Sequence, residues 1–155
     1  MRVSAKADYA VRATVELARL EASDAAPAKG EAVARTQGIP MRFLENILGE
    51  LRQHGLVHSR RGSDGGYWLA KPADRVSIAE VIRAVEGPLA TVRGQSADEL
   101  EYGEGDASLR EVWLALRANV RDVLERVTLA DIVADELPEH VRELSARSRP
   151  SRFTL

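Results

Sequence analysis

Residues 40–54, PMRFLENILGELRQH, place two different surfaces on one helix. At about 100° per residue, Leu44, Ile47, Leu48 and Leu51 share one apolar arc. Arg42, Asn46, Gly49 and Gln53 share the opposite side, where Gly49 lets a partner come close, and Phe43 lies between the two. Pro40 opens the helix at a position that needs no N–H, and Gly55 ends it as a left-handed cap. Such a helix has to rest on a core and present its polar side outward.

What flanks this helix narrows the fold further. Two short strands follow, at 56–60 and 66–70, joined by RGSDGG, whose glycines and Asp64 make a hairpin tip. Ahead of it, Ser4 caps a helix over 4–20, with Ala7, Ala10, Val11, Thr14, Leu17 and Ala18 as its buried stripe. EASDAAP is a loop ended by Pro27. A short helix over 30–36 turns Val33 and Ala34 inward and is broken at Gly38. Three compact helices and then a two-stranded basic hairpin are the layout of a winged helix-turn-helix.

The second half has other elements. Ser77 and Glu80 form a capping box for a helix that stops at Gly87-Pro88. Residues 93–106, RGQSADELEYGEGD, hold five acids, one Arg and three glycines, and read as a surface loop. Over 108–127, Leu109, Trp113, Leu116, Val120, Val123 and Val127 recur at alternating steps of 4 and 3, a heptad seam suited to dimerisation. Thr128 and Asp131 cap a further short helix, Pro138 interrupts it, and SARSRPSRFTL reads as a frayed tail. The fold class is therefore mainly α with a small β-hairpin wing.

Composition excludes several functions. With no cysteine among 155 residues, disulfides, thiol nucleophiles and thiolate-held metals are ruled out. No apolar run approaches the roughly 18 residues of a membrane span, and the N-terminus alternates apolar with charged residues, unlike a signal peptide; the expected compartment is the cytoplasm. The net charge of −2 conceals an asymmetry. Residues 1–76 carry 12 basic and 9 acidic side chains (+3), whereas 77–155 carry 10 and 15 (−5). A basic front half suits a polyanionic partner.

The partner expected is double-stranded DNA; the alternative is that the polar helix face is merely solvated and the hairpin arginines serve solubility, and the order of helix and wing favours DNA. A helix with a polar outer face fits the major groove, where Arg42, Glu45 and Asn46 are suited to base edges and Gln53 lies further along. Arg60 and Arg61, with the backbone amides around Gly62, Gly65 and Gly66, are suited to phosphates. Trp68 points away from Tyr67 and Leu69; it either packs beneath a neighbouring helix or meets DNA sugar or a partner subunit. Tyr102 either anchors the acidic loop or covers a ligand. Asp98, Glu99, Glu101, Glu104 and Asp106 lack the spacing of a calcium loop and read as a solvated face. His54 and His58 are separated by Gly55 and His140 is remote, so no zinc site forms. Neither a phosphate-binding glycine loop opening a helix nor a nucleophile motif is present, and no enzyme is expected.

The run KGEAVARTQGIPMRFLENILGELRQHGLVHSRRGSDGGYWLAKP, the helix IAEVIRAVEGPL, the start MRVSAKADYAVRATVELA and the late VTLADI together resemble the IscR/NsrR/CymR group of bacterial winged-helix transcription regulators, the Rrf-type family, over about residues 1–135. The resemblance implies a homodimer that binds a partly palindromic operator through paired recognition helices (40–54) and wings (60–67), with 108–127 as dimerisation helix. Many members carry three cysteines ahead of that helix, holding an iron–sulfur cluster; here the interval is RGQSADELEYGEGD, so no cluster and no other cofactor is expected. The expected organisation is a DNA-binding unit with its following helix (1–92), the acidic loop in the sensor position (93–106), dimerisation and C-terminal helices (107–147) and a tail (148–155). The function expected is a homodimeric transcription regulator, most simply a repressor. The alternative is a dimeric scaffold whose main partner is another protein, docked on the acidic loop and basic tail. The effector is open among a small molecule in the dimer cleft, a protein partner and none.

Overall fold

A computed structural model of the chain describes residues 2–149; from residue 150 on, the expected tail lies outside the described residues. Seven α-helices and one antiparallel hairpin follow in the order α1 (Ala5–Ala22), α2 (Gly30–Gln37), α3 (Met41–Gln53), β1 (Val57–Arg60), β2 (Gly66–Leu69), α4 (Ile78–Glu86), α5 (Ala107–Leu124), α6 (Leu129–Ala134) and α7 (Glu139–Ser148). The mainly helical fold with a small wing is the one the sequence predicts.

α1 is the central post. The Ser4 hydroxyl accepts the Ala7 N–H at 3.0 Å and starts the helix. Helices α2, α3, α4 and α6 and strand β2 all rest on it, so burial extends past the predicted stripe to Ala13 and Val15, while Val11 is only half-buried. Glu16, also buried, is satisfied by the Arg19 guanidinium at 2.7 Å and the Gln37 amide at 2.9 Å. Leu44, Ile47, Leu48 and Leu51 of α3 are all buried against this post, as their spacing requires.

The hairpin pairs Val57 with Leu69, His58 with Trp68, Ser59 with Tyr67 and Arg60 with Gly66. A third segment joins it. Ala28 exchanges both backbone hydrogen bonds with Tyr67, at 2.9 and 2.8 Å, which fixes the wing to the chain entering α2. No spacing in the sequence announces that bridge. Ser77 and Glu80 form the predicted capping box of α4, and Thr128 and Asp131 that of α6.

Three segments depart from expectation. Helix α5 stops at Leu124 rather than at 127; Val127 is buried, and its carbonyl accepts the Ile78 N–H at 2.9 Å. Leu129 N–H donates to the Val76 carbonyl at 3.0 Å, bringing α6 back onto α1, so core burial of Val127 and Leu129 outweighs continuation of the helix. The 93–106 segment exposes its acids but contains two short 3₁₀ turns, at Ala97–Glu99 and Glu104–Asp106, with Ala97 and Leu100 buried. Finally, the SARS stretch assigned to the tail continues α7, which Pro138 starts.

Candidate nucleic-acid interface

α2, the turn at Gly38 and α3 form the helix-turn-helix, and the hairpin stands beside α3. Four contacts hold α3 and the wing in place. Lys6 pairs with Glu50 at 2.9 Å, joining α1 to α3. Arg52 donates to the Ser59 hydroxyl at 3.0 Å, joining the end of α3 to β1. Lys29 Nζ donates to the Gly62 carbonyl at 2.8 Å, and Arg60 to the Asp64 carbonyl at 3.1 Å, so the tip is braced from outside and from within.

Gly65 and Gly66 are required here by close approach. A Cβ on Gly65 would lie 2.0 Å from the Arg60 carbonyl oxygen; one on Gly66, where φ is +150°, would lie 2.4 Å from that of Ala28. Both are buried in the wing, whereas Gly62 is exposed at its edge.

The structure places the nominated residues in two groups. Glu45, Arg60, Arg61, Gly62 and Gly66 line one cleft of about 370 Å³, together with Lys29. Arg42, Asn46 and Gln53 are exposed on the outward side of α3. Sequence reading missed Lys29, which lies just outside α2 and is brought to the wing by the Ala28–Tyr67 bridge. It also left Phe43 undecided; the ring is 57% exposed and sits edge-on to Tyr9, centroids 6.4 Å apart. In β2, Leu69 is buried and Tyr67 half-buried. Trp68 is half-buried and tilted over His58 at 5.8 Å, with its other neighbours Pro27 and Arg60 lining a shallow recess.

On α5 no residue is fully buried, and Leu109, Val112 and Leu116 are 37, 55 and 40% exposed. Val120 and Val123 are half-buried on the same side. Trp113 is turned toward the acidic loop, where its indole N–H donates to the Tyr102 hydroxyl at 2.8 Å. Val112, outside the seam as read from sequence, widens the exposed stripe; Val127 is not on the helix.

Residues 3–135 match Rrf2, described as iron-dependent transcriptional regulators. The chain belongs to the Rrf2 family. It is 48% identical over 154 residues to Mycobacterium tuberculosis Rv1287, a candidate HTH-type transcriptional regulator by its name, covering 99% of this chain and 94% of that one. It is 31% identical to the HTH-type transcriptional regulator CymR of Bacillus subtilis, covering 86% and 91%. The solved structure of that CymR, the global cysteine regulator of its organism, superposes with a TM-score of 0.73 over 87% of this chain and 98% of that one, at 31% identity. IscR of T. potens gives 0.71 over 99% and 97%, at 27% identity. The relatives of this Rrf2 protein are thus transcriptional regulators.

Iron in the family description makes the donor set the deciding question. The chain has no cysteine and 3 histidines, and among the described residues no three His, Asp or Glu side chains cluster so as to hold a metal ion. The loop before α5 is engaged in protein contacts: Asp98 takes the Ser96 hydroxyl and, at 2.5 Å, the Arg117 guanidinium. These residues do not fit an iron–sulfur cluster, which requires soft sulfur donors.

Proposed function

We propose that this Rrf2 protein is a cytoplasmic, non-enzymatic, sequence-specific DNA-binding regulator that acts as a homodimer and represses by occupying its operator, without an iron–sulfur cluster. The observation that carries the reading is the basic cleft between α3 and the wing, beside the exposed polar side of α3. The polar side of α3 is exposed, and the cleft between α3 and the wing gathers four basic residues, Lys29, Arg52, Arg60 and Arg61, against two acids, Glu31 and Glu45. Arg42 and Asn46, with Glu45, read base edges; Gln53 extends that surface; Arg60, Arg61 and the exposed backbone at Gly62 hold phosphates, while Gly65, whose N–H donates to the Gly62 carbonyl at 3.1 Å, and the buried Gly66 shape the tip. The bare side of α5, through Leu109, Leu116, Val120 and Val123, meets a second copy. Residues 1–92 would then be the DNA-binding unit, 93–106 a loop bridging to α5, and 107–147 the dimerisation and C-terminal part. Among the described residues no helix is long and apolar enough to cross a membrane, which accords with a cytoplasmic regulator.

Fluorescence anisotropy on DNA from upstream of its own gene, against shuffled DNA at physiological salt, tests this. A preference of about a thousandfold is expected. Arg42→Ala should relax preference at one base pair, at a cost of about 1–3 kcal/mol, whereas Arg61→Ala should weaken cognate and shuffled DNA alike. Weak binding without preference, together with a stable protein complex in pull-downs, would replace this reading with that of a dimeric scaffold.

A further inference from the structure

We propose that the junction of α4 and α5 is a binding site for a small organic anion, a carboxylate with a short apolar body. A cavity of about 330 Å³ lies there, lined by Arg83, Gly87, Pro88, Leu89, Arg117 and Arg121. That volume is at the lower end of the roughly 300–1,000 Å³ of small-molecule pockets. The lining combines three arginines, one from α4 and two from successive turns of α5, with Pro88, Leu89 and Gly87. Guanidinium groups beside an apolar surface select a carboxylate attached to hydrocarbon.

The charges around the cavity do not balance. Arg83 and Arg121 both donate to the Glu125 carboxylate, Arg121 at 2.9 Å, and Arg117 is paired with Asp98. Glu80, also within the field of Arg83, is paired with Lys71 at 2.9 Å, so the three lining cations meet two further carboxylates and one positive charge is left. Glu86 borders the neighbouring recess rather than this one and accepts the Ser4 hydroxyl. Glu125 is held below the usual carboxylate range, chiefly by its hydrogen bonds from Arg83 and Arg121. It is an internal carboxylate held by two of the lining arginines, and it competes with any incoming one.

Position gives the site a consequence. The bonds from Ile78 to Val127 and from Leu129 to Val76 tie the start of α4 to the chain leaving α5. The Arg83–Glu125 pair crosses the same joint. A bound carboxylate would draw Arg83 and Arg121 from Glu125 and alter how α5 is fixed to the unit bearing α3. This regulatory consequence rests on the DNA-binding reading; anion binding itself does not.

Calorimetric titration of the full chain with 3-phenylpropionate, succinate and the neutral 3-phenylpropanamide tests the site. Saturable binding of at least one acid and none of the amide is expected. Arg121→Gln, at a half-exposed helix position, should weaken binding about tenfold, the loss of one charge-assisted contact. Glu125→Gln should tighten it severalfold, because the competing carboxylate is gone; a merely structural pair would give no gain. Absence of saturable heat with either acid at about 10 mM, in the protein as it stands, overturns the proposal. So does a Glu125→Gln variant that folds normally by circular dichroism and binds no tighter. Anisotropy on upstream DNA with and without saturating acid then reads the coupling. A chain that binds the acid but shows no DNA preference keeps the anion site and loses the regulatory consequence alone.

Discussion

The Trp113 indole N–H donates to the Tyr102 hydroxyl across 2.8 Å, fastening α5 to the acidic loop that precedes it. Ala97 and Leu100 are buried in the same segment, and Arg110 adds a bond to the Asp98 carbonyl at 2.8 Å. The interval is therefore fixed by protein contacts. Tyr102→Phe removes one hydroxyl and leaves a part-buried indole N–H unsatisfied, which should cost about 1 kcal/mol. Urea denaturation followed by tryptophan emission in a Trp68→Phe background measures it. An unchanged midpoint and emission maximum would mean that the pair does not hold the loop.

Leu109, Val112 and Leu116 leave an apolar stripe on α5 that no other described residue of a single chain buries. If a second copy covers it, Leu116→Asp should convert a dimer to a folded monomer, because the side chain is 40% exposed and its loss opens no cavity. Phe43→Asp, at a residue 57% exposed on α3, should leave assembly unchanged. Sedimentation equilibrium decides between them, and a wild-type chain already monomeric at micromolar concentration would remove the dimer.

Acid should weaken this fold through particular carboxylates. For Glu80, burial alone would raise the pKa, but the Lys71 ammonium, the Ser77 N–H and Arg83 outweigh it and hold the carboxyl below its ordinary 4.5. Asp98 is held below 3.8, first by the Ser96 hydroxyl and then by backbone and Arg117 contacts. A depressed folded-state pKa stabilises fully above the ordinary value, and the contribution is lost as pH falls through the folded value. The urea midpoint should therefore be flat from neutrality to about pH 5 and then fall. Glu80→Gln should be less stable than wild type at neutral pH and converge with it in acid. Curves that stay parallel would contradict the role given to Glu80.

How far the sequence carried depended on the range of each interaction. The apolar arc of α3 was legible because Leu44, Ile47, Leu48 and Leu51 repeat with the helix itself. The wing was legible because its tip concentrates glycine and Asp64. The Ala28–Tyr67 bridge was not, since a single backbone pair leaves no periodic trace, and Lys29 went unnoticed with it. Trp113 was recognisable as an apolar seam position, but its partner Tyr102 lies in a loop without periodicity. The end of α5 was misread because Leu124 to Val127 contains no helix breaker; the helix stops there for the benefit of Leu129, which is in the core. Arg83, Arg117 and Arg121 converge only once α4 and α5 are folded together.

Gly49 separates stability from recognition on α3. It lies in mid-helix, and a Cβ built there meets nothing within 4 Å. Alanine should therefore raise stability by about 0.5–1 kcal/mol through helix propensity. For a domain of this size that is a rise in Tm of roughly 1–4 °C. Yet Gly49 lies on the side of α3 that carries Arg42, Asn46 and Gln53, and on the proposed DNA-binding reading it is the residue there that would let a DNA backbone come closest. A methyl group would hold that backbone off and weaken binding to cognate and shuffled DNA together, because the contact is steric and not made to a base edge. Calorimetric Tm and anisotropy on one preparation of Gly49→Ala should move in opposite directions. A more stable variant with unchanged DNA affinity would show that the helix does not approach DNA through this residue.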